Sequence, residues 1–344
     1  MVPMDSEHVY ITDVLSYNHY FGWYVGDVED NGVWFDKFHA LNPDRALGVS
    51  EYGSENVLMW HSIEPENHDY TEEYASYYHH EMLKTFATRP YLWSTHVWNM
   101  FDFAADARDE GGVKGRNNKG LVTYDRQTKK DAFYIYKAYW TTDPMIHVCG
   151  VRFVDRAPEE RIVTVYTNCP EVTLVVNGVE VATQPAVDHA VVFENVPLND
   201  GANTVTAKYG DVTANEITLN GVAEHNYAYD LPEGNEGANW FDDPAAVEAR
   251  KAKKMKYPKG YYSLKDKVSV LSANPETAAI LQETMAKFMG QGAFSMTSGE
   301  GGMGKEMQEF MGMMALGNML KMAGSAFSAD DKYELNERLN KIAK

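Results

Sequence analysis

The sequence predicts a multidomain protein in which an α/β unit is followed by an all-β domain and a helical C-terminal region. Three observations support this prediction. Residues 1–142 alternate strand-like and helix-like runs, residues 143–222 contain short β-rich runs separated by turn signals, and residues 260–344 show helical spacing of apolar side chains. A length of 344 residues is also that expected for two or three domains.

The first unit alternates strands with helices. Strands are predicted at 9–17, 45–50 and 91–101, and helices at 34–41, 70–88 and 128–140. The second helix has the clearest start, because Thr71 can cap it and Glu72 and Glu73 follow in its first turn. This order predicts parallel strands joined by crossover helices.

Residues 143–222 have a different sequence pattern from the first unit. Strands are predicted at 151–154, 162–166, 172–176, 191–193, 204–208 and 216–219. Between two of them lies Asn177-Gly178, the pair that a two-residue hairpin turn prefers. Short strands with frequent turn signals predict a small immunoglobulin-like β-sandwich.

The remaining residues divide into an arm and a tail. Residues 223–259 are polar and rich in Glu, Asn, Gly and Pro, which predicts a linker or an ordered arm. Helices are predicted in the tail at 276–289, 305–322 and 330–341. The tail is rich in Met, which fits a surface for self-association into a homo-oligomer or a loosely packed helical cap.

Composition excludes several functions. The net charge of −19 argues against nucleic acid as a partner, because phosphate would be repelled. No apolar run approaches the ~20 residues of a membrane span. The first seven residues lack the features of a signal peptide, so a cytoplasmic location is expected. Two cysteines are too few for a disulfide framework. No cofactor and no metal are predicted.

A carboxylate lies at the C-terminal end of the second predicted strand. The run at 46–53 (ALGVSEYG) delivers Glu51, and catalytic groups of parallel barrels sit at such strand ends. Six of the seven Trp lie between Trp23 and Trp140. Aromatic side chains beside carboxylates are typical of sugar sites, and a large aromatic core is the alternative.

Three runs together resemble a known family. They are 18–24 (NHYFGWY), 50–53 (SEYG) and 97–103 (VWNMFDF), in this order and spacing. They are similar to strands six, seven and eight of the glycoside hydrolase family 2 barrel, and 115–130 is similar to the segment after strand eight. The resemblance implies the C-terminal part of an incomplete (β/α)8 TIM barrel.

The resemblance also implies an activity. It indicates a retaining β-glycosidase that removes terminal non-reducing β-D-galactose residues from β-galactosides. The β-galactosidase type is preferred because a sandwich and a helical tail follow the barrel piece. A β-glucuronidase of the same family is the runner-up, and a non-catalytic carbohydrate-binding or assembly fragment is the remaining alternative.

Site residues follow from matching positions. Glu51 matches the nucleophile, and Tyr20 matches a tyrosine that hydrogen-bonds it and tunes its basicity. The expected substrate-binding residues are Asn18, Tyr24, His61, Trp98, Asn117 and Lys119. The last two form an Asn-x-Lys pair, which in the β-glucuronidases of the family recognises the sugar carboxylate. Each of these residues except Glu51 has an alternative role in packing.

The chain departs from the family pattern in two ways. Three strand–helix units are present, whereas such a barrel needs eight. The Asn-Glu pair that supplies the general acid/base is also missing, because the three Asn-Glu pairs of the chain all follow the barrel piece. The fragment is therefore expected to be inactive alone, with the missing N-terminal half as its partner. Acidic residues at 102–110 are interpreted as a solvated loop rather than a metal site.

Overall fold

The computed structural model describes residues 3–232, 256–289, 312–322 and 329–344. Within these ranges, apolar side chains form three main cores. One core belongs to residues 4–140 with a few contacts from the following strands, the second to the β-rich residues 146–219, and the third to the helical tail.

The first core is built around a three-stranded parallel sheet. Its strands are β1 (Val14–Asn18), β2 (Ala46–Tyr52) and β3 (Leu92–Val97), in that order across the sheet. Helices α1 (Asp30–Leu41) and α2 (Glu72–Ala87) connect them, and α3 (Asp131–Trp140) follows later in the chain. The predicted alternation of strands and helices is confirmed for this part of the chain.

Local signals explain the ends of two elements. Helix α2 begins where predicted, because the Thr71 hydroxyl accepts a hydrogen bond from the Tyr74 amide at 3.0 Å. The first strand begins later than predicted, because residues 7–10 form a 3₁₀ turn capped by Ser6. The prediction of a strand over residues 9–13 is therefore wrong.

The two faces of the parallel sheet differ. Leu47 and Val49 of β2 are fully buried against the helices, together with Tyr17 of β1. On the opposite face Ser16 of β1 is exposed and Trp93 of β3 is 51% exposed. Among the residues that the structure describes, both outer strands pair on one side only. This arrangement is that of a sheet segment with one open face, and its completion into a barrel stays a prediction.

A β-hairpin replaces the predicted acidic loop. It consists of β4 (Phe103–Glu110) and β5 (Val113–Asn117), which pair in antiparallel fashion. Asp102, just before the hairpin, and Glu110 are buried. Each has a cationic partner, Lys130 for Asp102 and Arg108 for Glu110. The interpretation as a solvated loop was therefore wrong for these two residues, because ion pairing permits their burial.

The β-rich residues form two sheets around one apolar core. One sheet contains β6 (Ile146–Val148), β8 (Val163–Thr167) and β11 (Ala190–Phe193). The other contains β7 (Asp155–Arg156), β9 (Glu171–Val176), β10 (Val179–Pro185), β12 (Gly201–Tyr209), β13 (Val212–Thr213) and β14 (Ile217–Gly221). We refer to them together as the sandwich.

Two details of the sandwich differ from the prediction. Residues 151–154 are not a strand, although their side chains are apolar enough to suggest one. Strand β10 was missed, because as an edge strand it leaves Val179 and Val181 exposed and lacks a buried apolar pattern. The Asn177-Gly178 turn joins β9 to β10 with positive φ at both residues, as its sequence predicts.

The tail forms a small helical core. Its helices are α4 (Val268–Ala273), α5 (Pro275–Met289), α6 (Leu316–Met322) and α7 (Ala329–Leu339). Residues 233–255 of the predicted arm, and residues 305–311 of the predicted helix at 305–322, lie outside the described residues. The described tail contacts the first unit through a hydrogen bond from the Gly26 amide to the Met313 carbonyl at 3.2 Å. Self-association through the tail stays a prediction. In the described ranges, every helix is too short or too polar to cross a membrane.

Candidate active site

The predicted nucleophile lies at the rim of the parallel sheet. In a parallel sheet the C-terminal ends of the strands meet at one edge. Asn18 at the end of β1 is paired with Glu51 near the end of β2, and the His19 amide donates to the Glu51 carbonyl at 2.7 Å. The Ser50 hydroxyl donates to Asn18 Oδ1 at 2.8 Å. These contacts fix Asn18 and Glu51 side by side.

Tyr20 orients the Glu51 carboxylate. Its hydroxyl donates a hydrogen bond to Glu51 Oε2 at 2.8 Å. Burial and the charge of Glu51 raise the pKa of Tyr20, so this hydroxyl stays protonated and keeps donating at any physiological pH. Glu51 itself is half-buried. The arrangement holds one carboxylate oxygen and leaves the other available to a substrate.

Tyr24 connects this pair to Lys119. The rings of Tyr20 and Tyr24 lie 5.1 Å apart between centroids, and Tyr24 is 40% exposed. Lys119 Nζ donates to the Tyr24 hydroxyl at 2.9 Å, and it lies 4.9 Å from the centre of the Tyr24 ring. A cation near aromatic faces is stabilised by the ring quadrupole. The fully buried Lys119 is thus placed in the aromatic wall that also contains Tyr20.

Asn117 supports the backbone of Lys119. Its Oδ1 accepts a hydrogen bond from the Lys119 amide at 3.0 Å, and its side chain is buried. This is a local turn of the kind that Asn favours. The structure therefore brings Asn117 and Lys119 together, and this hydrogen bond gives Asn117 a role in positioning Lys119.

Trp98 follows the end of β3 on the same rim. Its amide donates to the Tyr52 carbonyl at 2.8 Å, and the peptide bond between Trp98 and Asn99 is cis. The half-buried ring meets Phe103 edge-on at 5.9 Å. A Cβ atom at Gly53 would come within 2.1 Å of the Trp98 carbonyl oxygen. Glycine at 53 is therefore what allows the Glu51 strand to pass so close to Trp98.

His61 does not join the other predicted residues. It is 2% exposed, its Nδ1 contacts Glu73 Oε1 at 3.0 Å, and its Nε2 contacts the Leu58 carbonyl at 3.1 Å. Its ring stacks on Phe153, at the seam with the sandwich. Because protein groups contact both ring nitrogens, the structure gives His61 structural contacts, and its expected role in binding substrate stays a prediction.

Three charged residues of the site escaped prediction. Glu55 accepts from Lys119 Nζ at 2.8 Å and also pairs with Arg108, whose Nη1 lies 2.9 Å from Glu110 Oε2. Charge from Lys119 and Arg108 outweighs burial and keeps the pKa of Glu55 low. Burial, followed by the charge of Glu55, raises the pKa of Glu110 to about 7. The sequence signal was the i, i+2 spacing of Arg108 and Glu110, which places both on one face of a strand.

One cluster has the composition of a metal site. Asp131, His147 and Cys149 are buried, and their ligand atoms lie within 4.8 Å of one another. The Asp131 oxygens already accept from His147 Nε2 at 3.0 Å and from the Gly150 amide at 2.7 Å. Arg152 is 3.7 Å from the same carboxylate, and burial with nearby acidic groups raises the pKa of the Cys149 thiol. A satisfied carboxylate, a nearby cation and a protonated thiol do not suit a metal ion.

Known proteins are similar to this chain over part of their length. Residues 159–214 match the model of a domain of unknown function, DUF4982. A β-glucuronidase of Bacteroides fragilis is 39% identical over 209 residues, which are 58% of this chain and 30% of that protein.

Solved structures give the same picture. An FMN-binding β-glucuronidase from Facaelibacterium prausnitzii L2-6 is 53% identical, with a TM-score of 0.65, over 67% of this chain and 36% of that one. A provisionally named β-galactosidase from Bacteroides fragilis is 33% identical, with a TM-score of 0.58, over 62% of this chain and 33% of that one.

The chain spans about a third of the length of these relatives. Their names are those of glycoside hydrolases, as the sequence predicts, and β-glucuronidase names predominate. The preferred β-galactosidase type is therefore not confirmed, and the runner-up has the better support. The relatives of this chain are glycosidases, chiefly β-glucuronidases.

Proposed function

We propose that this chain is part of a retaining β-glycosidase that hydrolyses β-glucuronides. The observation that carries the proposal is the arrangement of Glu51, held by Tyr20, beside a buried lysine that an aromatic wall keeps near the same rim. The β-glucuronidase names of the relatives support the same substrate class.

Glu51 is the proposed nucleophile. A retaining glycosidase forms a covalent glycosyl-enzyme through one carboxylate, while a second carboxylate about 5–5.5 Å away acts as acid and then as base. Tyr20 leaves one Glu51 oxygen free to attack the anomeric carbon and stabilises the other. We propose that the second carboxylate comes from a part of the protein outside this chain, on another strand of the completed barrel.

Lys119 is the proposed recognition group for the sugar carboxylate. A charge-assisted hydrogen bond to a carboxylate is roughly twice as strong as a neutral one. Trp98 and Tyr24 offer partly exposed aromatic surface at the same rim for the apolar face of a sugar. Asn18 supplies an exposed amide beside Glu51.

Covalent labelling tests the nucleophile. The longest protein that the gene encodes is incubated with a 2-deoxy-2-fluoro glucuronide, digested and analysed by mass spectrometry. The label is expected on Glu51, and Glu51→Gln is expected to lower turnover by about 10³-fold or more, since the covalent glycosyl-enzyme cannot form without the nucleophilic carboxylate. A label on another carboxylate contradicts the assignment.

Paired assays test the substrate class. Aryl β-glucuronide and aryl β-galactoside are compared with the wild type, Lys119→Met and Lys114→Met. Lys114 is exposed on the same hairpin and serves as the matched control. We expect Lys119→Met to lower kcat/KM for the glucuronide by about 10–100-fold, the loss of one charge-assisted contact of about 1.5–3 kcal/mol. Equal losses on both substrates would remove Lys119 from carboxylate recognition.

A β-galactosidase is the second candidate function. One similar structure carries that name, and Glu55 already neutralises Lys119 in the free protein. Faster turnover of the galactoside in the same assays would favour it.

Flavin binding is a separate question raised by one relative. The 53%-identical protein is named as FMN-binding, whereas the sequence here predicts no cofactor. Visible absorbance of the purified protein decides this, because bound flavin is yellow and apoprotein is colourless.

A further inference from the structure

Glu55, Arg108, Glu110 and Lys119 form one network of charged side chains, which contacts Tyr24. Lys119 and Glu55 are 2.8 Å apart, Arg108 contacts Glu55, and Arg108 Nη1 lies 2.9 Å from Glu110 Oε2. All four side chains are nearly or fully buried. They come from three places in the chain, namely the segment after β2, strand β4 and the segment after β5.

The surroundings of Glu110 are well defined. Arg108 on its own strand and Glu55 and Lys119 from neighbouring segments face it, and Tyr70 is near enough that the charge of Glu110 helps burial to raise the Tyr70 pKa. Tyr24 contacts both cations of the network, Lys119 and Arg108. Glu110 therefore has one close cation, Arg108, which it shares with Glu55.

The network is balanced in the free protein. When Glu110 is ionised, two cations, Lys119 and Arg108, face two carboxylates, Glu55 and Glu110. A sugar carboxylate bound at Lys119 would add a third negative charge. Inside a protein an uncompensated charge is far more costly than in water, so the network must either lose a carboxylate charge or gain a cation.

Glu110 is the group best placed to lose its charge. Burial and the adjacent Glu55 carboxylate raise its pKa to about 7, whereas the two cations keep the pKa of Glu55 low. An incoming anion acts in the same direction as Glu55 does, because a nearby like charge disfavours ionisation of a carboxylic acid.

We propose that Glu110 takes up one proton from solvent when an anionic sugar binds at Lys119, while Arg108 continues to hold Glu55. The carboxylate of Glu110 becomes a neutral carboxylic acid, no other bond forms or breaks, and the network keeps its overall charge. This inference rests on the proposed function, because it assumes that Lys119 receives a sugar carboxylate. It assigns Glu110 as a positioning and charge-balancing residue rather than a catalytic one.

A neutral sugar should behave differently. It adds no charge to the network, so it gives Glu110 no reason to take up a proton. Proton uptake by Glu110 would therefore make the affinity for anionic sugars depend on pH. The affinity for neutral sugars would not depend on the protonation of Glu110.

Isothermal titration calorimetry in two buffers measures the number of protons that the protein takes up when a sugar binds. The longest protein encoded by the gene is titrated with glucuronate, and separately with galactose, in two buffers that differ in ionisation enthalpy. Because Glu110 with a pKa of about 7 is half-ionised at pH 7, glucuronate binding is expected to take up about half a proton there and almost none at about pH 5. Galactose, where it binds, is expected to take up none.

Two variants complete the test. Glu110→Gln removes the titrating group and is expected to abolish the difference between buffers. Glu64→Gln, an exposed carboxylate outside the network, is the matched control and should retain the wild-type uptake. Wild-type measurements over the pH series remain decisive if Glu110→Gln folds poorly.

The outcomes separate this inference from the proposed function. Glucuronate binding with the same heat in both buffers at pH 7 overturns the proton uptake and leaves glucuronide specificity standing. Uptake that persists in a folded Glu110→Gln protein assigns the proton to another group and also overturns it. Failure to bind glucuronate, with no turnover of glucuronides, overturns the proposed function itself.

Discussion

The first unit and the sandwich fill their interiors with different chemistry. Between residues 143 and 222, the buried Asp, Glu, Lys or Arg side chains of the described structure are Arg156 and Glu160. The core between the two sheets is made of Val, Leu, Ile and Phe side chains, with Cys169 and Ala207. The first unit buries many more charged side chains: Glu55, Glu72, Asp102, Arg108, Glu110, Lys119, Lys130 and Asp131.

The two regions therefore differ in the kind of interaction that stabilises them. Apolar burial is non-directional and tolerates any well-packed arrangement. Buried ion pairs need particular partners, and losing one partner leaves a costly charge behind. The region proposed to act on a sugar is therefore also the one that depends most on individual charged contacts.

The largest effect is expected from breaking a buried ion pair that lies outside the site. Lys130 Nζ donates to Asp102 Oδ1 at 2.8 Å and to the carbonyls of Asn56 and Asn118, both at 3.1 Å. Lys130→Met should lower the free energy of unfolding by about 3–5 kcal/mol, because Asp102 would remain buried without its cation. Denaturant unfolding measures this.

The neighbouring lysine provides the control for that measurement. Lys129 is exposed, so Lys129→Met should change stability by less than about 0.5 kcal/mol. Similar losses for both variants would mean that the ion pair with Asp102 contributes nothing.

Truncating an apolar side chain in the core of the sandwich should also lower the free energy of unfolding, and the loss can be compared with that of Lys130→Met. Leu174 on β9 is fully buried, so Leu174→Ala should cost about 2–5 kcal/mol. On the open face of the parallel sheet, Trp93 is 51% exposed, and Trp93→Ala should cost less than about 1 kcal/mol in this chain.

The same tryptophan variant tests barrel completion. If further strands cover the open face in a longer protein, Trp93→Ala should cost about 3–5 kcal/mol there, as it does for a buried aromatic side chain. An equal, small cost in both lengths would indicate that the face stays open.

Acid should weaken the first unit through its buried histidines. Burial lowers the pKa of His79 to about 3 from an ordinary value of 6.5. Between these values the unfolded chain holds the extra proton, so stability falls as pH falls through this window, by about 1.4 kcal/mol per pH unit for one such histidine. His79→Gln should flatten the dependence of unfolding free energy on pH between 6 and 4. An unchanged slope would mean that other groups carry the acid sensitivity.

The smallest effect is expected in the sandwich hairpin. Gly178 has φ of 77°, and a Cβ atom there would meet nothing within 4 Å. Gly178→Ala should therefore cost about 1 kcal/mol through backbone strain alone. Asn177→Gly also tolerates positive φ but removes the hydrogen bonds of the Asn177 side chain with Asn203 Oδ1 at 2.8 Å and the Thr204 amide at 3.0 Å, so it should cost somewhat more, about 1–2 kcal/mol. The melting temperatures of the Gly178→Ala and Asn177→Gly variants, measured by thermal unfolding, compare the two costs.

Much of the fold could be predicted because periodicity and caps are local. Thr71, the Glu51 strand and the Asn177-Gly178 turn are short-range signals, and each lies where it was expected. The hairpin β4–β5 was missed, because burial of Asp102 just before it depends on Lys130, which lies beyond the hairpin in the chain, and burial of Glu110 depends on an ion pair with Arg108 of the same strand. The stacking of His61 on Phe153 could not be predicted either, since the Phe153 ring belongs to the next domain.

The sequence by itself determined the order of the elements, the candidate nucleophile and the pairing of Asn117 with Lys119, because these depend on spacing along the chain. Only the tertiary structure decided which charges are balanced. Lys119 meets Glu55 across 64 residues, and the Glu55 partner Arg108 lies 53 residues from it, so no local pattern reveals these two contacts. Burial then decides its protonation, because the cost of a charge depends on what surrounds it in space.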